Sequence, residues 1–271
     1  MVYYLRGNPC FGVRGSKHSF DRKNIETRLT YMKNNKLLKL AVLAMLVALG
    51  VVISPILRFE GMCPMAHFIN IVCGVLLGPW YSLLCALLIG IIRMAFLGIP
   101  PIALTGAIFG AFLSGICYRA SKGNLVWAVI GEIVGTGIIG AILSYPVMTI
   151  FWGKEGLTWL FYVPSFVCGT LIGGSIAFVF LRKLTNAKVL CSFQQKLGTT
   201  MYDYHSSTLG DGLSIAALGV ICFLVIKILC NIFSLTSALT NAAAYCSLGG
   251  FILAGLIYYL AKKVKQNGNT P

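Results

Sequence analysis

From Leu40 to Leu181 the chain runs as a succession of long apolar spans separated by short loops. Few folds tolerate such a pattern. In hydrocarbon every backbone N–H and C=O must find its partner inside the protein, so only helices and closed barrels cross a bilayer. The apolar runs here are continuous rather than alternating, which selects helices. Composition agrees: 58% of residues are hydrophobic and 11% charged, against about 25% charged in soluble domains. The expected class is an all-α integral membrane protein.

The spans fall at about 37–57, 66–78, 80–97, 101–118, 125–150 and 164–183, followed by a hairpin at about 213–234 and 240–261. Four regions follow: a basic extension, 1–35, expected to be disordered; a six-span unit, 36–184; a polar linker, 185–212; and a transmembrane hairpin with a basic tail, 213–271. No apolar run in the extension resembles a signal sequence. Met32 opens MKNNKLLKLAVLAML, which reads as a natural membrane-protein start, leaving residues 1–31 as a tail or the product of a misplaced start codon.

A net charge of +15 invites a nucleic-acid reading. Its distribution argues otherwise. With both termini and every second loop on the cytoplasmic side, 18 of the 22 Lys and Arg are cytoplasmic. Arg58 and Lys154 fall outside, and Arg93 and Lys227 fall within spans. This is a positive-inside pattern, and it requires an even number of crossings. The ten cysteines are scattered without a CxxC and read as small, reduced, apolar side chains.

Between Leu40 and Leu181 only three residues of charged type lie inside the apolar spans themselves: His67, Arg93 and Glu132. A charge in hydrocarbon costs at least ~2.5 kcal/mol, so such residues face a bundle interior, a partner or a polar cavity. Span direction gives their depth. His67 and Asn70 lie near the outer face, Arg93 roughly 20 Å into its span, Glu132 near mid-membrane and Tyr145 near the outer end. The aromatic segment 152–163, with Trp159 and Tyr162, lies on the same side. These residues converge on the outer half as a polar, aromatic-walled pocket with Glu132 as its floor, which is how small ligands are held. Two blander readings stay open: an Arg93–Glu132 ion pair joining two spans, and His67 as an interfacial or capping residue.

Small residues recur at four-residue spacing, Gly106/Gly110, Gly131/Gly135 and Gly169/Gly173, as close helix packing in lipid requires. The stripe Ala41, Ala44 and Ala48 on the first span is suited to a partner subunit instead. The chain has no GxxxxGK[ST] loop, no HExxH, no GxSxG and no His/Cys metal spacing. A pocket without an energy source or a nucleophile points to a substrate-binding subunit, with no catalytic residue, metal or cofactor of its own, that borrows ATP hydrolysis from partners.

The run AMLVALGVVISP (44–55) resembles the first helix of the S components of energy-coupling factor (ECF) vitamin transporters. PMAHFINIVCGVLLGPWYSLLCALLIGIIR (64–93) and IGEIVGTGIIGAILSYPV (130–147) resemble the thiazole-type S component ThiW. The resemblance spans roughly 36–184. It implies a six-helix S-component bundle, to which the C-terminal hairpin is an addition, in a prokaryotic plasma membrane. It implies capture of a thiamin precursor from outside, with hydroxyethylthiazole the first candidate, and docking to a transmembrane T component coupled to two ATPases. The Ala44/Ala48 face would meet the T component. Ligand candidates carried over are His67, Asn70, Arg93, Glu132 and Tyr145, beside the aromatics Trp159 and Tyr162. Hydroxyethylthiazole is neutral, yet Arg93 asks for an anion; either Glu132 neutralises Arg93 or the ligand is an anionic thiazole. An S component for another vitamin precursor, an intramembrane lipid enzyme with Glu132 as base, and a structural scaffold are the remaining readings.

Overall fold

The structure, a computed structural model, describes residues 22–56, 63–202, 208–232 and 238–267. Among them there are helices and turns and no strand. The order is α1 (Arg22–Ile56), α2 (Pro64–Leu76), α3 (Pro79–Leu97), α4 (Ile102–Ala120), α5 (Leu125–Glu132), a π segment (Ile133–Gly140), α6 (Ala141–Ile150), α7 (Val163–Asn186), α8 (Val189–Leu197), α9 (Thr208–Ile232) and α10 (Ala238–Asn267). Helix α5, the π segment and α6 form one continuous span, Leu125–Ile150. It is one of six described helices long and apolar enough to cross a membrane, while α2 and the stretch Gly210–Phe223 of α9 are shorter.

Two expectations change. Helix α1 extends back to Arg22, so residues 22–35 of the expected disordered extension are helical; residues 1–21 lie outside the described residues. The polar linker also contains α8, whose Leu190, Gln194 and Leu197 are buried against the bundle. Gln194 Nε2 donates to the Val75 carbonyl at 3.1 Å and to the Tyr118 hydroxyl at 3.3 Å, tying α8 beneath α2 and α4.

The short α2 is the axis of the bundle. It spans only about 20 Å at 13 residues, and residues 69–75 are all buried. A helix too short for the bilayer is tolerable because α1, α3, α4, α5 and α7 surround it. Its ends are set by chemistry: Pro64 occupies the first turn, where no N–H is needed, and Gly78 turns the chain into α3 at φ +94°.

The small-residue pairs lie at intramolecular crossings. A Cβ at Gly135 would come 2.6 Å from the Cα of Gly110, and one at Gly173 would come 2.9 Å from the Cβ of His67. Glycine there allows α4 to meet the π segment, and α7 to meet α2, at backbone distance. The C-terminal pair is fastened separately. Asp211 on α9 accepts from Arg182 on α7 and from Lys262 on α10, the latter at 2.6 Å.

Candidate functional site

Glu132 is fully buried at the end of α5. Three donors from two elements converge on its Oε1: His67 Nδ1 at 2.9 Å and Asn70 Nδ2 at 3.0 Å from α2, and Thr136 Oγ1 at 3.0 Å from the π segment. With Oε1 accepting, His67 carries its proton on Nδ1. His67 and Asn70 are one helical turn apart on α2 and so share a face. Thr136 is reached through the widened turns of the π segment, a rare geometry that recurs at functional sites. Its sequence, IVGTGIIG, mixes three Gly with branched residues, all poor helix formers.

Arg93 is 4% exposed on α3 and does not meet Glu132. Its Nη2 lies 3.5 Å from Cys63 Sγ, and its Nε has no partner among the described residues. The alternative of a structural Arg93–Glu132 pair is therefore corrected: the acid is already engaged by the nearer donors on α2.

Above this network is a cavity of about 480 Å³, lined by parts of α2, α3, α4, the π segment, α6, α7 and the segment before α7. His67, Arg93 and Tyr162 line it. Asn70 and Glu132 lie outside the lining, behind His67 and Thr136, so Glu132 supports the floor rather than forming it. Tyr145 and Trp159 face each other with ring centroids 4.6 Å apart and do not line the cavity. The apolar wall is Met148, Phe161 and Phe166 instead. Cys63, Thr136, Lys154 and Ser165 complete the polar part. The Tyr162 hydroxyl is buried without a partner among the described residues.

Sequence reasoning missed Thr136, Lys154 and Phe166. A signal existed for two. Thr136 falls one helical turn after Glu132, and Lys154 is one of two cations outside by the charge pattern. Phe166 carries no such mark. Among the described residues no group of three or more His, Cys, Asp or Glu is placed to hold a metal ion.

On the opposite flank, α1 and α3 form a shallow apolar groove lined by Leu43, Ala44, Val47, Ala48, Leu88 and Ile92. Ala44 and Ala48 are exposed there, and Ala41 is exposed on the same helix.

Membrane-crossing helices closed around a cavity of small-molecule size, with a few placed polar groups, define a solute-handling membrane protein. Residues 40–187, more than half of the chain, match the family described as thiamine-precursor transporter protein (ThiW). The chain belongs to that family. It is a multi-pass plasma-membrane protein and a transporter component rather than an enzyme. No curated protein and no solved structure matches it.

Proposed function

We propose that this chain is the S component of an energy-coupling factor transporter, capturing the thiazole precursor of thiamin in the cavity above His67. The distribution of Lys and Arg supports an orientation with both termini in the cytoplasm, and in that orientation the cavity opens outward. The observation that carries the reading is the cavity itself: about 480 Å³, with Phe161, Phe166 and Met148 to pack a small heteroaromatic ring and His67 to hydrogen-bond it. His67 is oriented by Glu132, which holds the ring through Nδ1 and leaves Nε2 to accept from a ligand hydroxyl. Hydroxyethylthiazole offers such a hydroxyl.

The exposed Ala44/Ala48 groove on α1 supports docking to a T component, because small residues admit another helix closely where lipid gives no hydrophobic drive. Two ATPase subunits would hydrolyse ATP for the complex. The test is uptake of labelled hydroxyethylthiazole by cells lacking thiazole synthesis. Uptake that needs this chain, a T component and active ATPases together supports the reading; uptake by this chain alone, or none with the full complex, contradicts it.

A further inference from the structure

Three features of the cavity concern charge. Arg93 is 4% exposed, lines the wall and leaves Nε without a partner among the described residues. Tyr162 adds a buried hydroxyl, equally unpartnered. Lys154 brings a second cation to the same wall, its backbone N–H held by the Met148 carbonyl at 3.2 Å. Among the described residues no carboxylate lines the cavity, and Glu132, behind it, has its Oε1 held by His67, Asn70 and Thr136 while its Oε2 is buried without a partner among the described residues and makes no contact with Arg93. A buried guanidinium without its acid is costly, and a ligand acceptor is what removes that cost.

We infer that the cavity takes a thiazole bearing an anionic group, a carboxylate or a phosphate, held by Arg93, Lys154 and Tyr162. This rests on the thiazole reading above and narrows its ligand. The aromatic wall holds the ring. The guanidinium supplies charge-assisted hydrogen bonds that a neutral alcohol cannot match. Lys154 acts as a flexible point charge at the mouth.

The test is calorimetric binding to the full chain in detergent of three probes: neutral hydroxyethylthiazole, its phosphate ester and a thiazole carboxylate. Arg93→Gln and Lys154→Gln are measured beside the parent, with elution profile and unfolding midpoint as fold controls. One anionic probe should bind at least about tenfold more tightly than the alcohol, and its identity separates phosphate from carboxylate. That preference should shrink in Lys154→Gln and vanish in Arg93→Gln. Should Arg93→Gln misfold, the exposed Lys154 variant decides alone. Equal or tighter binding of the alcohol, or an unchanged preference in the folded variants, overturns the anion site while the thiazole reading stands. Binding of none of the three overturns both.

Discussion

His67 Nδ1 and Glu132 Oε1 lie 2.9 Å apart in the bundle interior, linking α2 to α5 65 residues further along the chain. The contact joins support to site, since His67 lines the cavity while Glu132 stands behind it. Replacing Glu132 by Ala strands three buried donors. The expected loss is ~3–5 kcal/mol, in the range for breaking a buried charged pair. Asn70→Ala removes one donor of the set and should cost only about 1–3 kcal/mol. Thermal unfolding of the two variants in one detergent checks the order; equal losses would mean that Glu132 is not the hub.

Two glycines give a contrast. A Cβ at Gly110 would lie 2.7 Å from Glu132 Oε2 and closer still to Thr136 Oγ1, whereas one at Gly98 meets nothing within 4 Å. Gly110→Ala should displace the network, destabilise by about 1–3 kcal/mol as overpacking does, and weaken ligand binding. Gly98 ends α3 in the left-handed region at φ +60°, so Gly98→Ala pays only conformational strain of about 1–2 kcal/mol. Denaturation midpoints and ligand affinity together separate the two cases: only the first variant should change both.

Asp211 bridges Arg182 and Lys262 and so holds α9 and α10 against α7. Asp211→Asn should raise amide exchange in α9 and α10 by a few-fold while α2–α6 keep their protection. Uniform loosening of the whole bundle would show instead that the pair is integral to the six-span unit.

Ala44→Trp and Ala48→Trp fill the groove on α1 without touching the cavity. Ligand affinity should stay at the parent value, while co-purification with the T component and uptake fall away. Uptake at parent level in both variants would rule out this face as the docking site.

Much of the fold was readable because hydropathy and proline report on span ends directly. The expected spans 80–97, 101–118 and 125–150 fall within two residues of the helices found. Helix α8 was not readable as part of the bundle: it is nine residues long, and its Leu190, Gln194 and Leu197 are recognisable as an inward face only once α2 and Tyr118 are in place. The residues of the site were partly readable. Charge rarity singled out His67, Arg93 and Glu132, but opposite sign alone suggested the wrong pair. Which donors reach Glu132 depends on the rotation of α2 and on the π segment, and a residue list carries neither. Aromatic composition marked the 152–163 segment yet could not separate Tyr162, which turns inward, from Trp159, which packs on Tyr145.

The central claim is that a thiazole occupies this cavity. The most direct measurement is calorimetric titration of the parent chain and of Ala103→Phe with the tightest thiazole probe. Ala103 lines the cavity and is itself no polar contact, so a phenyl ring there removes space and leaves Arg93, His67 and Glu132 unchanged. Saturable binding to the parent and none to a folded Ala103→Phe is the expected result. Undiminished binding to the filled variant would place the ligand elsewhere and contradict it.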